Sequence, residues 1–157
     1  MFFKKKKDER IYAPVSGSCV ELSQVPDPMF SKGVLGEGVA FRYEQDTLYS
    51  PCDGTIIVVA GTFHAIGIRS ITGVELLLHV GVDTVNLEGK GFTVLVKQGQ
   101  NVKAGTPLLR IDRDFMKQQN IDLITPMVVT NGKDVLVEIQ GIHQVVEQGI
   151  TEIIHGK

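Results

Sequence analysis

Residues 64–83 read HAIGIRSITGVELLLHVGVD, two short apolar runs joined by Ser70-Ile71-Thr72-Gly73, with a histidine at each outer end. Ala65–Ser70 and Val74–Val80 are too short for stable helices and are bounded by turn residues, so both read as strands of an antiparallel hairpin. Two registers are open. A two-residue loop of Ile71 and Thr72 sets His64 directly opposite His79, with Cβ atoms about 4.5–5.5 Å apart on one face. A three-residue loop with Gly73 in the left-handed conformation pairs Ile66 with Leu78 and Ile68 with Leu76 instead. Hydrophobic matching alone favours the second, and the slip between them moves every side chain to the other face. The residues by themselves do not decide.

The same rhythm extends along the chain. Ser18–Leu22, Gly38–Arg42, Thr55–Ala60, Phe92–Val96, Pro107–Ile111, Met127–Thr130, Val135–Gln140 and Gln144–Glu147 are further strand-like runs, each bounded by Gly, Pro, Asn or Asp. That spacing predicts an all-β fold, an antiparallel sandwich or barrel. Helix is expected only as short turns, one capped by Asp114 and running over Phe115–Gln119, another around Asp27–Lys32. Tyr12-Ala13-Pro14-Val15-Ser16-Gly17 and Tyr49-Ser50-Pro51-Cys52-Asp53-Gly54 share the form Y-small-P-x-x-G, which points to an internal pseudo-repeat. With 157 residues and 43% hydrophobic content the chain suits one domain over residues 11–157, its motifs lying within 29–132, preceded by a basic tail over residues 1–10.

Composition narrows the function. A formal net charge of −2 and few aromatics supply neither the positive field nor the stacking surface that nucleic acid requires, so nucleic acid is not expected as a partner. Cys19 and Cys52 form no CxxC, and there is neither an apolar leader nor an apolar run of about eighteen residues or more, hence no integral membrane segment. A cytoplasmic protein with reduced thiols is the expectation. The start, MFFKKKKDER, reads as a solvated basic tail: four lysines at about 1 kcal/mol each on an anionic surface, with so short an apolar stretch, make no anchor.

Four histidines, His64, His79, His143 and His155, are the residues able to act as nucleophile or proton carrier near neutral pH. His143 and His155, in the Gly-rich C-terminal region, read as ordinary surface residues. Cys52 in PCDG lacks the basic neighbours of a reactive thiol and reads as a small core residue, with Asp53 serving the turn.

YSPCDGTI, TFHA with His64, GVELLLHVGVDTVNLEGKGF and TPMVVTN occur in order, and together they resemble the glucose-type IIA component of the bacterial phosphoenolpyruvate-dependent sugar phosphotransferase system, from about Tyr12 to beyond Asn131. The resemblance implies an antiparallel β-sandwich of the duplicated hybrid motif type, in which a histidine receives a phosphoryl group from the histidine phosphocarrier protein. It passes that group to a cysteine of a IIB domain of a membrane sugar permease. The histidine of HVGVD is the phosphorylated one, so His79 is the nucleophile. His64 is its phosphoryl-stabilising partner, which favours the register with the two histidines opposed. Thr62 orients His64, and the backbone carbonyl near Gly81 holds the second nitrogen of His79. The resemblance calls for no cofactor and no metal; zinc held by His64 and His79 with a partner's carboxylate would be regulatory. The protein would sit in the cytoplasm, reaching the inner face of the membrane through its permease, and unphosphorylated relatives also bind metabolic enzymes or transporters.

The chain departs from the family pattern at Val80, where phenylalanine often follows the histidine, at Arg69, where acidic residues are common, and at Glu37 of LGEG, in place of aspartate. Val39, Val80 and Val82 are expected to form an apolar rim for partners, with Glu37 and Asp83 meeting their basic residues. Two other classes share features with this chain. A zinc peptidase of similar architecture needs a third ligand, and Gly81 stands where an HxH pair would place it. A lipoyl- or biotinyl-type carrier, suggested by residues 96–108, lacks the lysine hairpin that bears the cofactor.

Overall fold

The computed structural model describes residues 10–156. The basic tail, except Arg10, lies outside them. Among the described residues fourteen short strands carry the fold, all paired antiparallel: β1 (Ile11–Tyr12), β2 (Gly17–Glu21), β3 (Glu37–Tyr43), β4 (Thr47–Tyr49), β5 (Gly54–Val59), β6 (Ala65–Ser70), β7 (Glu75–His79), β8 (Phe92–Val94), β9 (Asn101–Val102), β10 (Pro107–Ile111), β11 (Thr125–Val129), β12 (Val137–Ile139), β13 (Val145–Val146) and β14 (Glu152–Gly156). Eight form one sheet in the order β13-β2-β3-β11-β7-β6-β5-β9; β1-β14-β12 and β4-β10-β8 form two small sheets. The small sheets share one hydrophobic core with the inner face of the large one, where Phe41, Ile56, Ile68, Leu78 and Met127 meet Ile11, Leu48, Leu108 and Ile154.

The pseudo-repeat is visible in the pairing. Read from its two ends, the large sheet matches β13 with β9, β2 with β5, β3 with β6 and β11 with β7, and each small sheet matches the other strand for strand. The Tyr-x-Pro segments bond to each other reciprocally: Tyr12 N–H to Pro51 O at 2.7 Å, Tyr49 N–H to Pro14 O at 3.0 Å. Ala13 donates to Thr151 O and accepts from Gly149 N–H; Ser50 likewise donates to Thr106 O and accepts from Gly105 N–H. Proline, which has no N–H to donate, is tolerated because only its carbonyl is needed at this crossing.

The helical turns are α1 (Pro28–Ser31) and α2 (Arg113–Gln118). Asp27 caps α1 by accepting the Met29 N–H, and proline at the first helical position costs no hydrogen bond. In α2 the cap is Asp112, whose side chain accepts the Phe115 N–H at 3.1 Å; Asp114, expected as the cap, lies inside the first turn. The helix starts earlier because a cap serves an N–H two or three residues on, and Asp112 is the residue so placed before Phe115.

The β6–β7 hairpin also differs from the expectation that the histidines oppose each other. Its ladder pairs Ala65 with His79, Ile66 with Leu78 and Ile68 with Leu76. This is the three-residue-loop register: Gly73 has φ +91°, and Ser70 and Val74 close the loop. Hydrophobic matching wins because it buries Ile66, Ile68, Leu76 and Leu78 together on the inner face.

Candidate active site

Alternation along β7 turns Leu76 and Leu78 inward and leaves Leu77 and His79 on the outer face. That face carries a second, smaller core of Val25, Phe30, Ala40, Ile124 and Val128, roofed by α1. His79 is half-buried at its margin, its ring 4.9 Å from that of Phe30. Directly across the ladder stands Ala65, whose small side chain leaves room above it.

His64 fills that room although it is off the ladder. The chain leaving β5 turns through Phe63 at φ +62°, a left-handed conformation rare for an aromatic residue. Ala60 N–H bonds Ala65 O, Phe63 N–H bonds Ala60 O, and Val80 N–H bonds His64 O at 2.7 Å. A regular strand would point residue 64 inward with Val80. The turn instead brings its ring edge-on to His79, with centroids 4.8 Å apart and planes at 77°. The convergence expected from sequence is present, reached by a different backbone route.

Hydrogen bonds fix both rings. His79 Nδ1 lies 3.0 Å from Gly81 O. A carbonyl only accepts, so Nδ1 carries the proton and Nε2 keeps its lone pair. His64 Nδ1 lies 2.7 Å from Thr62 Oγ1, which donates or accepts according to the tautomer. Gly81 has φ +83°, and a Cβ there would meet Thr84 Cγ2 at 2.6 Å, so only glycine fits. Burial, and next the neighbouring His64, push the His79 pKa below the ordinary histidine value, against the opposing pull of the Gly81 carbonyl, Asp27 and Asp83. Burial lowers His64 as well, opposed by the Thr62 backbone. Both rings are therefore neutral near pH 7.

Four expected site residues, His79, His64, Thr62 and Gly81, thus stand together, and exposed Asp83 lies close enough to bias His79. The apolar rim differs. Val39 is 0% and Val80 1% exposed, both packed in the inner core. Parity explains it: Val80 is one residue on from His79, and Val39 pairs through Met127 with Leu78, so each points away from the histidine face. Val82 is partly buried against the outer cluster. Glu37 is exposed but level with Leu76, two strands over, away from the histidine end. Sequence reading missed Asp27 and Phe30 at the site. The Asp-Pro start of α1 signalled a cap, but nothing local signalled that the helix would roof His79.

His143 Nε2 and His155 Nδ1 bond Glu21 and Glu152 at the surface, at 3.3 and 2.8 Å. The Cys52 thiol is buried, and burial followed by the Asp53 charge pushes its pKa up to about 12, which suits packing and not nucleophilic attack. Among the described residues no three or more His, Cys, Asp or Glu side chains gather in a way that could hold a metal, and no helix is long and apolar enough to cross a membrane.

An antiparallel sandwich with an internal pseudo-two-fold and two neutral imidazoles held edge to face defines a histidine-centred site without a built metal cage. The chain belongs to the glucose-type family described as phosphoenolpyruvate-dependent sugar phosphotransferase system, EIIA 1, whose model matches residues 9–135. It is 38% identical over 152 residues to a glucose-specific EIIA component of Staphylococcus epidermidis, covering 94% of this chain and 89% of that protein. It is 46% identical over 121 residues, 77% of this chain, to a glucose-specific EIICBA component of Staphylococcus carnosus, but spans only 18% of that protein's length. The solved glucose permease IIA from Mycoplasma capricolum superposes with a TM-score of 0.81 at 33% identity, covering 98% of this chain and 99% of that one.

Proposed function

We propose that this chain is a phosphoryl carrier in which His79 Nε2 accepts a phosphoryl group from the phosphohistidine of the histidine phosphocarrier protein and hands it to a cysteine of a IIB domain. The observation that carries the reading is the His79 Nδ1 to Gly81 O hydrogen bond, which leaves Nε2 as a neutral, outward nucleophile. In the first step the Nε2–P bond forms as the donor's N–P bond breaks, its electron pair returning to the donor imidazole. In the second the IIB thiolate forms the S–P bond, and the Nε2–P pair returns to His79. The proton stays on His79 Nδ1, hydrogen-bonded to Gly81 O, throughout.

Phosphoryl transfer passes through a loose transition state with charge on its equatorial oxygens, so alignment and hydrogen-bond donors matter most. With the Thr62 hydroxyl donating to Nδ1, His64 carries its proton on Nε2 and offers it to a phosphoryl oxygen. Fusion of EIIA to EIIB and EIIC in relatives named EIICBA and EIIBCA supports the IIB partner. Association with that permease would bring a cytoplasmic protein to the membrane's inner face. On the segments that carry the site, exposed Met29 next to Phe30, Phe63 next to His64 and Val85 next to Thr84 offer apolar side chains together with Val82, and Asp27 and Asp83 offer charges for basic partner residues.

Incubation with labelled phosphoenolpyruvate, Enzyme I and the phosphocarrier protein tests the reading. Label on His79 that is acid-labile and base-stable, absent from His79→Gln and discharged by a IIB domain, is the expected result. Stoichiometric label on His79→Gln would overturn it.

A further inference from the structure

Gly81 presents a difficulty that its neighbour resolves. The carbonyl aimed at His79 Nδ1 lies in the Gly81–Val82 peptide, whose Val82 N–H bonds Asp122 O at 2.9 Å; because glycine is the softest of hinges, its direction also depends on how the preceding Val80–Gly81 plane is held. On one side the plane has Gly81 N–H bonded to Ile124 O at 3.2 Å, a long contact. On the other, Thr84 Oγ1 donates to Val80 O at 2.6 Å, the shortest hydrogen bond of the loop. Thr84 is fully buried, and its methyl group fills the space where a Gly81 Cβ would stand. Val80 N–H in turn bonds the His64 carbonyl. Val80, held by Thr84 through its carbonyl and bonded to His64 through its N–H, thus ties the loop to the backbone of His64 and follows directly on His79.

We propose that Thr84 is a positioning residue, its hydroxyl clamping the Val80–Gly81 peptide so that Gly81 O stays on His79 Nδ1 and Nε2 stays free. The effect on catalysis rests on the phosphoryl-carrier reading above; the effect on the ring does not. A buried threonine used for packing alone would be replaceable by isosteric valine, since only the hydroxyl differs. Here that replacement strips the Val80 carbonyl of its partner. The Val80–Gly81 plane is then free to turn, the glycine hinge passes that freedom on to Gly81 O, and the imidazole protonates at either nitrogen.

The test is the tautomer of His79 in the full chain, read from ring ¹⁵N shifts in histidine-labelled protein near pH 8, with phosphoryl acceptance from the phosphocarrier protein measured alongside. Wild type and Thr84→Ser should hold the Nδ1–H form. Thr84→Val should show a mixture of tautomers and accept phosphoryl groups slower by about tenfold or more. A folded Thr84→Val with an unchanged tautomer population would overturn the proposal. Should valine prevent folding, Thr84→Ser against Thr84→Ala makes the same comparison without added bulk: serine like wild type and alanine mixed supports the clamp, and the two alike removes it. Failure of wild type to accept phosphate would sink the carrier reading while leaving the tautomer result to decide this one.

Discussion

Burial holds the rings of His64 and His79 neutral, and for His79 the neighbouring His64 adds to it; that has a sign in pH. An unfolded histidine takes its proton near pH 6.5, whereas each folded ring binds it only at lower pH. Between those values the unfolded chain carries more protons, so the contribution of these rings to stability is intact above about pH 6.5 and is lost as pH falls through the folded values. Ring titrations followed by NMR should place both midpoints below the ordinary histidine value; a midpoint for His79 at or above about 6.5 would contradict the burial argument. The roles of the two rings separate by substitution. His64→Gln should still be phosphorylated on His79 but pass the group on about 10²–10³-fold more slowly, with glutamine's amide recovering part of the loss. Rapid-quench transfer to a IIB domain decides it: a wild-type rate would make His64 a bystander, and failure to label would mean that it helps build the acceptor site.

Between residue and fold stand the strands, and parity decides which substitutions report on docking. Val39 on β3 faces Met127 and Leu78 in the inner core, so Val39→Glu should destabilise the protein by about 3 kcal/mol or more, or prevent folding, by leaving a charge buried and unpaired. Phe63→Ser, at a side chain 41% exposed beside His64, should weaken transfer from the phosphocarrier protein with stability little changed. Urea titration with parallel transfer assays would contradict this if Val39→Glu were as stable as wild type. The hairpin has its own latch: Asn131 accepts the Glu75 N–H and donates to Gly73 O, at 2.9 and 2.8 Å. Asn131→Ala should cost about 1–3 kcal/mol. Apolar runs of five or six residues between turn segments were legible in sequence, β6 and β10 to the residue. Strands of two or three residues, β1, β4 and β9, have no period to read, and β14 was missed among the glycines and charges of the C-terminus. At the site, the residues of one local segment, Thr62, His64, His79 and Gly81, could be read from their motifs. Asp27 and Phe30 arrive from a distant helix, and the register went astray because His64 leaves the ladder through the left-handed turn at Phe63.

For the whole molecule, the pseudo-two-fold relates the termini to the middle of the chain. β14 lies between β1 and β12 as β10 lies between β4 and β8, and it buries Ile153 and Ile154. The family match ends at residue 135, yet a chain ending there would lose the centre of one small sheet and the β13 edge of the large one. We expect that truncation to melt without a cooperative transition, and calorimetry showing a wild-type-like transition would contradict the assignment of the folded unit to residues 11–157. On the phosphoryl-carrier function proposed above, the sandwich serves to hold one imidazole neutral with Nε2 free. The most direct measurement is therefore the ¹⁵N–³¹P coupling in histidine-labelled protein phosphorylated through the phosphocarrier protein: a phosphorus coupled to Nε2 of His79 is the predicted result, and coupling to Nδ1, or to any other histidine, would contradict it.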